Sequence, residues 1–156
     1  MADKSLRDYF HELMNKIQGI AVNSGGFAYL YGHYPDKIDS TTRGKLSTVI
    51  KDLEAYYDNT FKSLSLTSQA VGKSVASKEW VSVQKAIGKE LNDIYEILDS
   101  VKDMGAKISE SGFKNDILNI TKEMSLFQEK CESVARIIEN FKERLISLGI
   151  YDDVYS

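Results

Sequence analysis

The sequence predicts an all-α protein, an antiparallel up-down-up-down four-helix bundle with long helices. Apolar residues recur in alternating steps of three and four along most of the chain, which places them in a stripe on one face of a helix. The 156 residues include one proline, Pro35, so long stretches are free of the residue that breaks helices most strongly. No stretch alternates with a period of two for long enough to indicate a sheet.

Four helices are predicted, at about 3–31, 39–70, 78–108 and 114–148. The fourth has the most regular apolar stripe: Ile117, Ile120, Met124, Phe127, Cys131, Val134, Ile138, Phe141, Leu145 and Leu148. Polar segments that contain glycine, proline or serine separate the helices, and they read YGHYPDKIDSTT, VGKSVASKEW and SESGFKND. Such short connections make consecutive helices antiparallel. We expect one domain over residues 1–156, with a C-terminal tail, YDDVYS, that frays.

Composition disfavours several classes of function. The formal charge of −3 comes from interspersed acids and bases, so no nucleic-acid partner is expected. The single cysteine, Cys131, excludes an internal disulfide and suits a reducing compartment. The N-terminal residues lack the apolar segment of a signal peptide, and no apolar run is long enough to span a bilayer. We therefore expect a cytoplasmic protein without a membrane span.

No cofactor or metal is predicted. Neither His11 nor His33 follows a glutamate by three residues, the spacing that di-iron bundles use. The VGKS segment has the ending of a phosphate-binding loop, but Thr67 stands where that motif needs a glycine. Cys131 falls in the apolar stripe and is interpreted as a core residue, while His33 is interpreted as an exposed residue of the first connection.

The first helix contains two adjacent glycines, Gly25 and Gly26, each of which disfavours a helix by about 1 kcal/mol relative to alanine. Close approach of a neighbouring helix, or a slight kink, is the favoured explanation. A hinge is the alternative.

His11 is the candidate reactive residue. At about 100° per residue, it lies about 100° from Phe10, on the flank of the apolar stripe, and Asn15 lies about 40° further on the same exposed side. Glu12 points further toward solvent. A neutral imidazole can accept a phosphoryl group, a neighbouring carboxylate can take its proton, and an amide can hold a water molecule.

The segment FHELMNKIQGI resembles the H-box of the dimerisation and histidine-phosphotransfer domain of sensor histidine kinases. The matching residues are His11, Glu12 and Asn15, and the match covers about 12 residues of the first helix. Lys16 stands where many of these kinases have proline. The separate histidine-phosphotransfer (Hpt) family is a poorer match, because Met14 stands where it usually has lysine.

This resemblance implies that His11 accepts the phosphoryl group, Glu12 acts as its base and Asn15 promotes dephosphorylation of the partner. No ATP-binding domain is expected among these 156 residues, so the resemblance implies a stand-alone phosphotransferase or phosphatase with no kinase activity of its own. Its partner would be a response-regulator receiver domain, and the chain itself a monomer or homodimer. The alternative is a non-enzymatic helical-bundle adaptor, for which His11 is dispensable.

Overall fold

The computed structural model describes residues 4–155, and it confirms the four-helix bundle. The helices are α1, Leu6–His33; α2, Thr42–Gly72; α3, Ser77–Ala106; and α4, Phe113–Ser147. A short 3-10 helix, Pro35–Lys37, lies in the first connection. Each helix boundary is within three residues of its predicted position. Residue 3, where the first helix was predicted to begin, and Ser156, the end of the tail, lie outside the described residues.

Contacts between helix ends establish that consecutive helices are antiparallel. Thr67, near the end of α2, lies 3.4 Å from the Tyr9 carbonyl oxygen, near the start of α1. The Arg144 guanidinium, near the end of α4, donates two hydrogen bonds of 2.9 Å to the Glu79 carboxylate, near the start of α3. Helix α1 packs between α2 and α4, and α3 packs between the same two helices on the other side. The α1/α4 and α2/α3 faces are therefore opposite faces of the bundle.

The apolar stripes meet in one core, which the sequence pattern anticipates. An aromatic cluster fills the end of the bundle near the chain termini, where the Phe10 and Trp80 rings meet edge to face with centroids 5.8 Å apart. Phe141 completes the cluster, 5.2 Å from Trp80. Cys131 is buried in this core, and burial raises the pKa of its thiol to about 12. Cys131 is thus a neutral packing residue at physiological pH.

Close packing explains only one of the two adjacent glycines of α1. A Cβ atom at Gly25 would overlap the Gln128 side chain of α4, whereas one at Gly26 would meet open space. At Gly19 a Cβ would overlap the rigid ring of Tyr56 on α2, whereas the overlap at Gly25 is with the flexible end of a side chain. Gly19 thus allows an aromatic ring to lie against the backbone of α1.

The expectation that the C-terminal tail frays is wrong. Gly149 has a φ of 74°, the left-handed conformation that favours glycine. Its N–H donates to the Ile146 carbonyl at 3.0 Å, and the Ile150 N–H donates to the Leu145 carbonyl at 3.1 Å. These two hydrogen bonds form a Schellman motif. The chain therefore turns back at the end of α4, and Tyr151 is buried with 6% of its surface exposed.

The returning tail ties down the start of α1. Strand β2, Val154–Tyr155, pairs antiparallel with strand β1, Lys4–Ser5. The Leu6 N–H donates to the Asp153 carbonyl at 3.1 Å, and the Arg7 N–H to the Tyr151 carbonyl at 2.9 Å. The tail thereby satisfies donors of the first turn that have no partner within a helix. Strands of two residues are too short to show a period of two, which is why the sequence did not indicate them.

Candidate functional site

A groove of about 290 Å³ separates α1 from α4 beside the C-terminal tail. Residues from α1, from α4 and from the tail line it together. The polar residues among them are His11, Asn15, Gln18, Glu139, Lys142 and Tyr151. Two of the three residues predicted for the site, His11 and Asn15, thus share one groove, and Glu12 is not part of its lining.

His11 and Asn15 are both exposed on α1, one helical turn apart. The same turns of α1 also carry Phe10 and Leu13, and both of these side chains are buried in the core. This packing holds the backbone of the turn in place while the imidazole and the amide stay accessible to a partner. His11 is therefore an exposed side chain on a well-packed helix.

The carboxylate of Glu12 is bound by Lys4. The Lys4 ammonium donates to the two Glu12 carboxylate oxygens at 2.9 and 3.1 Å. These contacts raise the pKa of Lys4, chiefly through the hydrogen bond. The Lys4 ammonium also lies 5.4 Å from the centre of the Tyr9 ring. Glu12 would have to leave this ion pair to take a proton from His11.

Asp8 lies one turn before His11 and completes a capping box at the start of α1. Its carboxylate accepts from the Ser5 N–H at 3.0 Å, and its own N–H donates to the Ser5 hydroxyl at 3.2 Å. The hydrogen bonds with Ser5 are the main reason that the pKa of Asp8 lies below its usual value, and charge attraction to His11 lowers it further. Asp8 was not among the predicted site residues, although its position three residues before His11 places the two side chains on the same side of α1.

Lys142 of α4 supplies a cation to the same groove. Its ammonium lies 5.7 Å from the centre of the Tyr151 ring and 3.9 Å from a carboxylate oxygen of Glu139, a distance at the limit of an ion pair. Arg7 approaches the Tyr151 ring as well, with its guanidinium carbon 5.7 Å from the ring centre. Two cations therefore lie against this one tyrosine.

The hydroxyl of Tyr151 is buried and has no hydrogen-bond partner among residues 4–155. Burial raises its pKa, while the nearby charges of Lys142 and Arg7 oppose that shift. The Lys142 ammonium is close enough to lower the pKa of the hydroxyl, but it does not form a hydrogen bond with it. A buried hydroxyl without a partner costs about 1–3 kcal/mol. Lys142 and Glu139 place one positive and one negative charge at this end of the groove.

His33 is placed far from this groove. It is the last residue of α1 rather than part of a loop, and it remains exposed, as predicted. Its ring stacks on Tyr29 with centroids 4.4 Å apart, and Nδ1 lies 3.1 Å from the Tyr29 carbonyl oxygen. A wider groove of about 600 Å³ adjoins it, lined largely by side chains of the first turns of α4. The two histidines of the chain therefore belong to different ends of the bundle.

Among residues 4–155, no three histidine, cysteine, aspartate or glutamate side chains are grouped closely enough to hold a metal ion. None of the helices in that range has the length and apolarity to cross a bilayer. Comparison with known proteins finds no matching family model, no similar curated protein and no similar solved structure.

Proposed function

We propose that the chain is a histidine-containing phosphotransfer protein, or a phosphatase, that acts on response-regulator receiver domains. The observation that carries the proposal is the exposed pair of His11 and Asn15 in a groove that Lys142 also lines. A nucleophile, an amide and a cation are the groups that a phosphoryl-transfer site needs, since positioning and charge stabilisation supply most of the catalysis.

In the transfer reaction, one ring nitrogen of neutral His11 attacks the phosphorus of an aspartyl phosphate on the receiver. The N–P bond forms as the P–O bond breaks, and the receiver aspartate leaves as a carboxylate with the bonding electron pair. The second ring nitrogen then loses its proton to a carboxylate or to water. The resemblance assigns that base to Glu12, and Asp8 is the second candidate because it lies three residues before His11 on the same helix.

In the phosphatase reaction, Asn15 holds a water molecule in line with the aspartyl phosphate, and inorganic phosphate is released. Lys142 supports both reactions because its positive charge attracts the phosphoryl oxygens.

The test is to mix the protein with radiolabelled, phosphorylated receiver domains from the same genome. Acid-labile label on the protein, absent from His11→Ala, would support phosphotransfer. Faster loss of label from the receiver, reduced in Asn15→Ala, would support the phosphatase. His33→Ala is the matched control, because it removes the other exposed histidine of α1. Label that persists in His11→Ala, or no effect on any receiver, would refute the proposal and favour the non-enzymatic adaptor.

A further inference from the structure

A small cavity lies between α2 and α3, on the face of the bundle opposite His11. Its volume is about 100 Å³, which would hold about three water molecules at ~30 Å³ each. Ligand pockets for whole small molecules are larger, at about 300–1,000 Å³. The size therefore suits the head group of one side chain.

Aromatic rings form one side of this cavity. The rings of Tyr57 on α2 and Tyr95 on α3 line it, with centroids 5.7 Å apart and planes inclined by 42°. Phe61 extends the same surface, 5.0 Å from Tyr57. Tyr95 is 51% exposed and Phe61 is 43% exposed. This leaves apolar ring surface in water next to the opening, where a partner could cover it.

Carboxylates give the cavity an excess of negative charge. Glu54 is paired with Lys102, whose ammonium lies 3.3 Å from a carboxylate oxygen of Glu54. Asp58 and Asp99 also line the cavity, and within residues 4–155 neither of them forms a salt bridge. One aspartate comes from each helix, so unpaired negative charge stands on both walls.

We propose that this cavity binds an arginine side chain presented by a partner protein. A guanidinium can lie against an aromatic ring while the N–H groups at its edge donate to carboxylates. Tyr57 and Tyr95 supply the rings, and Asp58 and Asp99 supply the carboxylates. A lysine ammonium is a compact charge that cannot stack flat on a ring, so the arrangement favours arginine. The proposal does not depend on the chemistry of His11.

The experiment measures binding of a short capped peptide that alternates glycine and arginine, by calorimetry and by NMR shift mapping. Two companion peptides carry citrulline, which has the shape without the charge, or lysine. The test variants are the double substitution Asp58→Asn with Asp99→Asn, and Tyr95→Ala. The matched control is Asp52→Asn with Glu129→Gln, which removes the same charge from exposed positions outside the cavity. Thermal unfolding of each variant verifies that it folds.

We expect the arginine peptide to shift resonances around Tyr57 and Tyr95, and the double aspartate variant to weaken its binding by about five-fold. Tyr95→Ala should weaken binding to a similar extent, and the control should leave it unchanged. The citrulline peptide should not bind, and the lysine peptide should bind less tightly than the arginine peptide. Equal weakening in the control, or binding of the citrulline or lysine peptide as tight as that of arginine, would overturn the proposal.

Discussion

Two glycine substitutions in α1 test how closely α1 and α2 approach each other. Replacement of a glycine within a helix by alanine stabilises the fold by about 1 kcal/mol when the new methyl group meets no obstacle. Gly26 provides that case, since a Cβ there meets open space. At Gly19 the methyl group would overlap the ring of Tyr56, and overpacking of this kind costs about 1–3 kcal/mol.

The net change in stability is the gain from replacing glycine minus any cost of overpacking. We expect Gly26→Ala to be about 1 kcal/mol more stable than the wild type, and Gly19→Ala to be up to about 2 kcal/mol less stable. The two variants should therefore differ by about 1–3 kcal/mol, or about 2–12 °C in Tm for a chain of this length. Urea denaturation followed by far-UV circular dichroism gives the free energies of unfolding.

A third substitution isolates the cause. In a Tyr56→Ala background the ring is absent, so Gly19→Ala should become stabilising, by about as much as Gly26→Ala. Equal stabilisation by both glycine substitutions in the wild-type background would refute the reasoning. That result would mean that the Tyr56 ring moves aside at little cost, and that Gly19 is not required for the approach of α2.

Three further predictions concern single side chains. Tyr151→Phe removes a buried hydroxyl that has no partner among the described residues. It should therefore leave the free energy of unfolding in urea unchanged or raise it by up to about 1 kcal/mol. A clear loss of stability would mean that the hydroxyl has a hydrogen-bond partner. The pKa of Asp8 is lower in the folded state than its usual value, so its stabilising effect is present above about pH 4 and is lost as the pH falls through the folded pKa. The stability difference between wild type and Asp8→Asn should accordingly shrink on acidification, and a constant difference would contradict this. Burial and a pKa of about 12 should protect the Cys131 thiol from modification. An aromatic disulfide reagent should therefore react with it slowly in native buffer, and faster as denaturant unfolds the protein. Fast reaction in native buffer would contradict burial.

Much of the candidate site could be predicted from helix geometry alone. The spacing of Phe10, His11 and Asn15 on one helix determines which of them faces the core, because each residue advances by about 100°. The same local reasoning could have identified Asp8, three residues before His11. It could also have identified the turn at Gly149, since glycine followed by an apolar residue at the end of an apolar stripe is typical of a Schellman motif.

The amino-acid pattern by itself determined the number of helices, their approximate bounds and the residues that form the core. The helices and the core residues follow from the spacing of apolar residues and from the few interruptions of that spacing. Both are local properties of the sequence. Only the tertiary structure decided that Lys142 and Tyr151 lie beside His11, and that Lys4 binds Glu12. It also decided that Tyr57 and Tyr95 share a cavity with two aspartates. The physical reason is that these groups come from different helices, from strand β1 or from the tail. Their proximity depends on how these elements pack against one another, and the spacing of apolar residues along the chain does not determine that packing.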